Sequence, residues 1–228
     1  VIDECLPARH LYIAVPAYSG EVVADCAHSL CEGVRLLESA GIALTIDFVC
    51  GCAYLEHARN ILVTRFLRSN ATDLLFVDAD VGFEPGGILQ LAAAKRPFIC
   101  GIYPKKTADG AVMFPVGFDK DELWADQDGY VEAARVPTGF LRLNRAVFEH
   151  MPHSDYHCDD GDFLGYFEAG NRNGVFGSED WHFSDDWRRL GGKIYIIPNL
   201  TFGHSGMKRW TGNWHAWVKT QLAGSNGI

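Results

Sequence analysis

The stretch Leu74-Leu75-Phe76-Val77-Asp78-Ala79-Asp80 decides how this chain is read. Four apolar residues in a row fit a strand buried on both faces. Two carboxylates then stand one residue apart, directly where the strand ends. In an extended chain residues i and i+2 face the same way, so Asp78 and Asp80 are expected to point together into the space beyond the strand. Paired oxygen ligands without a neighbouring thiolate suit a hard cation, Mg2+ or Mn2+, whose shell is usually completed by substrate phosphates. The plainer alternative for the same acids is a solvated turn that caps the next element.

Working outward, strand and helix alternate. Residues 11–15 form an apolar run closed by Pro16. Val22, Val23, Cys26, Leu30, Val34 and Leu37 fall on one helical face, and Gly41 ends that helix. Residues 44–49 read as a second strand and 55–69 as a helix with Ile61, Leu62 and Phe66 inward. A short helix follows Pro85, a residue favoured in the first turn, and 98–102 is a further strand. Such alternation implies a mostly parallel sheet with both faces covered. Ligands of such sheets bind beyond the carboxyl ends of the strands, so the loops at 16–20, 51–54 and 78–82 are expected to meet at one crevice.

The second half is less regular. Residues 131–136 read as a strand and 144–150 as a short helix. The Gly- and Asp-rich span 159–177 reads as a long loop, which in a compact domain is usually functional or mobile. Ser178 is placed to cap a helix whose inward face is Phe183, Trp187 and Leu190, ended by Gly191 and Gly192. Residues 194–197 read as a strand, and Trp210, Trp214 and Trp217 stand at helical spacing.

Several short motifs occur in a telling order: Ala58-Arg59-Asn60, the strand ending in Asp78-Ala79-Asp80, Tyr103-Pro104-Lys105, and Pro137-Thr138-Gly139-Phe140-Leu141 with Arg145 after it. Glu179-Asp180 follows with Phe183-Ser184 and Trp187, then Gly191-Gly192-Lys193-Ile194, Pro198 and Gly203-His204. This series resembles nucleotide-sugar glycosyltransferases of the GT-A fold, in particular small bacterial and viral members of the large family-two group. It covers most of the chain, to about His204. The resemblance implies an α/β fold with a Rossmann-like, mostly parallel central sheet flanked by helices in a single domain. It also implies a nucleotide-sugar-binding half over about 10–105, an acceptor and catalytic half over about 106–205, and a Trp-rich helical tail over 206–228.

The same resemblance implies roles. Asp78 and Asp80 match the D-x-D that holds Mn2+ or Mg2+ against the donor diphosphate, with the first Asp often meeting the ribose, and His204 matches a late metal ligand. Pro16, Ala17 and Tyr18 match the loop that seats base and ribose. Arg59 can pair with phosphate or base carbonyl, or simply form a surface salt bridge. Lys105 and Lys106 can meet the diphosphate or the acceptor, or stand in a solvated turn. Asp180 matches the general base that takes the proton of an attacking sugar hydroxyl, with Glu179 orienting the acceptor. The plainer reading of Glu179 and Asp180 is two acids at a positive helix end, and the two readings are compatible. The expected donor is a UDP-sugar, with a GDP-sugar as the other option, and the expected acceptor is a glycan or glycolipid hydroxyl. Inversion is expected, although relatives with a similar Glu-Asp region include retaining enzymes.

Composition narrows the field. The 228 residues are 48% hydrophobic and 21% charged, the balance of an ordinary soluble protein. No apolar run approaches the roughly 20 residues of a membrane span, and Asp3 and Glu4 do not suit a secretory leader. A formal net charge of −9 without a basic run disfavours nucleic acid as a partner. An acidic chain still binds a phosphorylated ligand when a divalent cation lies between them. The seven Cys are irregularly spaced and complete no zinc pattern, which favours reduced thiols and a cytoplasmic setting, peripheral to a membrane or in a host cell if viral. Two rivals remain. A sugar nucleotidyltransferase needs a basic Gly-rich loop after the first strand, where only Gly20 stands. A non-catalytic carbohydrate-binding module explains the Trp and acidic residues but not the strand-helix alternation.

Overall fold

A computed structural model describes residues 2–119, 123–158 and 161–225. In chain order the first half runs β1 (His10–Ala17), α1 (Ala24–Ser39), β2 (Ala43–Cys50), α2 (Leu55–Arg68), β3 (Asp73–Val77), β4 (Val81–Phe83), α3 (Pro85–Ala93) and β5 (Phe98–Gly101). The second half runs β6 (Val131–Ala133), β7 (Phe140–Asn144), α4 (Arg145–His150), β8 (Ser154–Tyr156), β9 (Phe163–Gly165), β10 (Gly170–Arg172), β11 (Val175–Gly177), α5 (Glu179–Arg189), β12 (Ile194–Ile197), β13 (Thr201–Ser205), β14 (Arg209–Asn213) and α6 (Trp214–Ser225).

Seven strands make the central sheet in the order β2-β1-β3-β7-β5-β12-β6. β7 runs antiparallel between β3 and β5, and β6 runs antiparallel to β12; the other five strands share one direction. Alternate side chains feed two cores, as the two-residue period of a strand requires. Leu11, Ile13 and Val15 of β1 and Leu75 and Val77 of β3 pack with α1 and α3 on one face. Tyr12, Ala14, Leu74 and Phe76 pack with α2 and α5 on the other. Every residue of β3 is buried, so its apolar run is read on both faces at once. Trp187 of α5 is fully buried, and its indole N–H donates to the Lys193 carbonyl at 3.0 Å.

Three expectations need correction. The span expected as one long loop holds short strands in its described part: β9 pairs with β8, and β10 pairs with β11 through a turn at Asn173 and Gly174, both with positive φ (55° and 85°). Two consecutive positive φ values give the tight hairpin turn that Asn-Gly favours. Residues 159 and 160 of the expected loop lie outside the described residues. The three tryptophans do not share a helix. Trp210 lies in β14 opposite His204, whereas Trp214 and Trp217 belong to α6 and meet Phe118 and Phe114. Pro16 and Ala17 close β1 rather than forming a loop beyond it.

All seven cysteines are free thiols. Among the described residues, no helix is long and apolar enough to cross a membrane.

Candidate functional site

The site begins where β3 ends. The chain turns at once, with the Val81 N–H donating to the Asp78 carbonyl at 3.0 Å. That turn removes the extended geometry on which a shared direction for Asp78 and Asp80 depended, and the two carboxylates part. Asp78 turns toward Arg59, whose Nη2 lies 3.0 Å from Oδ1. Asp80 turns toward His204, whose Nε2 lies 3.4 Å from Oδ1, and its other oxygen pairs with Lys106.

β7 fixes Asp78 from the opposite side. Gly139, just before β7, accepts the Asp78 N–H through its carbonyl at 3.0 Å and donates its own N–H to the Tyr103 hydroxyl at 3.1 Å. A Cβ at Gly139 would run into the Asp78 carboxylate and lie 2.5 Å from the Tyr103 oxygen. The Thr-Gly step is therefore a close approach that only glycine permits. Tyr103 donates to Asp78 at 3.4 Å and sets the edge of its ring against His204, with centroids 5.0 Å apart. Burial first, and the Asp78 charge second, hold the Tyr103 phenol well above its usual range, so it stays a donor.

Arg59 is not on the surface. It is 2% exposed, lies over the Phe76 ring, and bonds Asp78 on one side and Glu179 on the other, the latter at 2.7 Å. Burial opposes its charge, but Asp78 and then Glu179 more than offset this, and the guanidinium is held above its usual range. Two parallel carboxylate contacts suit the planar fork of Arg and not the point charge of Lys. One buried cation thus ties the loop after β3 to the start of α5.

Beside Glu179 stands Asp180. Ser178 occupies the cap position of α5, but its hydroxyl donates to the Asp180 carboxylate instead of accepting a backbone N–H. The Trp181 N–H reaches the same Asp180 oxygen at 2.8 Å. Burial raises the Asp180 carboxyl above the ordinary range, the Ser178 bond opposes this, and the Glu179 charge adds to the rise. A carboxylate that holds its proton more strongly than usual is a better base once ionised.

Among the described residues, no group of three or more His, Cys, Asp and Glu side chains is arranged to hold a metal ion. The expected set of Asp78, Asp80 and His204 is therefore not gathered at one point. The pair Asp80 and His204 is. The His204 Nδ1 lies 2.8 Å from the Pro104 carbonyl, which can only accept, so Nδ1 carries a proton. Nε2 is thereby left facing Asp80, where a charged ring donates to the carboxylate and a neutral ring can share a cation with it; a backbone carbonyl is a common partner of the far nitrogen in a metal-bound His. Burial works against the ionised form of Asp80, but the bonds from His204 and Lys106 outweigh it and hold the carboxyl below its usual range. The residues fit an ion that takes one or two protein ligands and fills its shell with phosphate and water.

The other expected residues lie at or just past the carboxyl ends of β1 and β5. Tyr18 is 69% exposed just past β1, with Pro16 and Ala17 buried behind it. Lys105 is exposed, and its backbone N–H bonds the Met113 carbonyl at 2.7 Å; it is Lys106 that reaches Asp80. Sequence reasoning gave no role to Tyr103 or Gly139, although both stand in the quoted motifs. The glycine inside the quoted Pro-Thr-Gly motif was the available signal.

No protein-family model matches the chain. No curated protein sequence matches it either. Solved structures do. The crystal structure of A197 from STIV is 17% identical with a TM-score of 0.52, over 87% of this chain and 86% of that one. GalNAc-T7, crystallised with UDP, GalNAc and Mn2+, is 14% identical with a TM-score of 0.51, over 89% of this chain and 44% of that one. This chain thus spans less than half of that protein. The S. aureus TarS fragment 1–349 in complex with UDP-GlcNAc is 13% identical with a TM-score of 0.42, too distant to add weight. At these identities the likeness establishes the fold: a GT-A type α/β architecture around a largely parallel sheet.

Proposed function

We propose that the chain is a metal-dependent glycosyltransferase that moves a sugar from a nucleotide diphosphate donor, UDP-sugar before GDP-sugar, to a hydroxyl of a glycan or glycolipid. The observation that carries this reading is the Arg59 bridge, which sets the loop holding Asp78 and Asp80 against the Glu179-Asp180 helix start. Through it Asp78 and Glu179, read here as belonging to the donor side and the acceptor side, share one guanidinium beyond the end of β3, and ligands of such sheets bind beyond the carboxyl ends of the strands. The shared fold with GalNAc-T7, whose crystals hold UDP and Mn2+, supports the same reading.

In this scheme Asp80 and His204 would hold Mn2+ or Mg2+, and the ion would supply charge neutralisation to the leaving diphosphate. Asp78 does not ligate it directly; fixed by Arg59, Tyr103 and Gly139, it offers its remaining acceptor capacity to the donor ribose. Pro16, Ala17 and Tyr18 form the side on which base and ribose rest. Lys106, already within reach of Asp80, turns to the diphosphate when the donor arrives, and Lys105 stands next to it. Asp180 takes the proton of the attacking hydroxyl, and inversion at the anomeric carbon follows from a single displacement. Glu179 keeps the start of α5 in register through Arg59.

Calorimetric titration of UDP and of GDP, each with and without Mn2+, tests the reading. Micromolar binding of one nucleotide that disappears with EDTA supports it and names the donor class. Absence of binding with metal present overturns it. Binding that prefers a nucleoside triphosphate together with a sugar phosphate would point to a nucleotidyltransferase instead.

A further inference from the structure

A second recess lies at the far edge of the central sheet, against β12 and β6. Its volume is 480 Å3 and its lining includes Arg96, Trp124, Gln127, Tyr130, Lys193 and Tyr195. Arg96 and Lys193 stand where the chain enters β5 and β12, whereas Asp78 and Asp80 stand beyond the end of β3. The recess is thus separate from the candidate site described above. Its size falls within the roughly 300–1,000 Å3 of small-ligand sites.

The wall is built and rigid. Arg96 is 7% exposed. Its Nη2 bonds Asp126 and Asp128, each at 2.9 Å, and its Nη1 reaches Glu4 at 3.3 Å. The guanidinium carbon lies 4.9 Å from the Tyr195 ring centre and 5.8 Å from that of Tyr130, and the buried Nε has no hydrogen-bond partner among the described residues. Asp126 closes its own loop, accepting the N–H groups of Asp128 and Tyr130 at 2.9 Å each. Side chains fixed in advance lose little entropy when a ligand arrives.

The chemistry of the lining selects among ligands. Among the described lining residues the cationic side chains are Arg96 and Lys193, and Arg96 is committed to carboxylates. Asp126 and Glu132 balance them in the described lining, and Asp128 and Glu4 also lie on Arg96, so the wall offers no net positive charge to hold a phosphate or a nucleotide. A cationic ligand would seek the faces of Tyr130 and Tyr195, which Arg96 already covers. Trp124 is 77% exposed at the rim, next to carboxylates and the Gln127 amide. A flat aromatic surface beside hydrogen-bonding groups suits a neutral sugar ring, which sets its C–H face on the indole and its hydroxyls on the acids. We propose that this recess is a saccharide-binding site for a neutral sugar unit, distinct from the transfer site and needing neither nucleotide nor metal.

Saturation-transfer NMR with methyl glycosides of neutral hexoses and N-acetylhexosamines tests this, in the presence of excess UDP and Mn2+. At least one glycoside is expected to bind at millimolar strength, equally in the wild type and in Asp80→Asn. Trp124→Ala is expected to weaken it by about tenfold or more, the loss of about 1.4 kcal/mol, with an unchanged melting temperature. No binding by any glycoside overturns the proposal, as does binding that survives Trp124→Ala or is lost in Asp80→Asn. None of these outcomes depends on whether UDP itself binds, so a failed transferase reading is told apart from a failed sugar site.

Discussion

Arg59 Nη1 lies 2.7 Å from Glu179 Oε1, across 120 positions of sequence. The side chains are 2% and 12% exposed, so the pair is removed from water, and Asp78 shares the same guanidinium. Removing one member of a buried pair leaves the other charged and unpaired, which costs about 3–5 kcal/mol. Arg59→Met is therefore expected to lower the urea midpoint sharply. Replacing Glu179 with Gln keeps a hydrogen-bond acceptor and leaves Asp78 to balance Arg59, so its cost is expected to be smaller. Equilibrium unfolding of both variants checks the order; equal effects would show that the bridge carries little.

The parting of Asp78 and Asp80 separates two effects that a shared metal role would merge. Asp80→Asn is expected to abolish Mn2+-dependent nucleotide binding while leaving the melting temperature near that of the wild type, because Asp80 is 35% exposed. Asp78→Asn is expected to lower stability, because it removes a charge from the buried Arg59, and to weaken donor binding in Mn2+ without removing its dependence on the metal. Calorimetry in Mn2+ and in EDTA, alongside thermal unfolding, reads both. Loss of metal dependence in Asp78→Asn at unchanged stability would return Asp78 to the metal.

Gly139 offers a test by volume alone. The Cβ of Gly139→Ala meets the Asp78 carboxylate and the Tyr103 hydroxyl, which are both fixed by other bonds. Overpacking of this kind costs about 1–3 kcal/mol. Donor affinity is expected to fall with stability, and a melting curve identical to the wild type would show that the close approach is tolerated.

The alternation of strands and helices was legible because β1, β2, β3 and β5 are short apolar runs bounded by turn residues, and the expectation of a site beyond their carboxyl ends followed from that alone. β7 was not legible as a strand. It carries Arg142 in the middle of Phe-Leu-Arg-Leu-Asn, and that Arg is fully buried only because Asp73 pairs with it and the carbonyls of Ala94 and Arg96 accept from it. A buried ion pair between distant positions leaves no periodic trace. For the same reason Arg59 read as a surface or ligand-binding residue, since its two partners lie 19 and 120 positions away. The turn after Asp78 was hidden by the opposite effect: D-x-D looks extended next to a strand, and only the 78–81 hydrogen bond shows that it is not.

Asp180 connects stability to catalysis with a definite sign. Its folded carboxyl is raised by burial and by the Glu179 charge, against the Ser178 bond. A raised folded value means that this group favours folding at low pH and that the benefit is lost as pH rises through the folded value. At neutral pH the ionised carboxylate is thus held at a cost, which the neutral isostere in Asp180→Asn avoids. That variant is expected to melt no lower than the wild type at pH 7 and to bind the donor unchanged. Its transfer rate is expected to fall by about 10²–10⁴, the usual contribution of a positioned base. In the wild type, transfer is expected to decline on acidification with a midpoint above the ordinary carboxylate range, and Glu179→Gln, by removing a neighbouring negative charge, is expected to move that midpoint down. A wild-type midpoint in the ordinary range, or a marked drop in the melting temperature of Asp180→Asn, would place Asp180 in the scaffold of the helix start and leave the base to be found elsewhere.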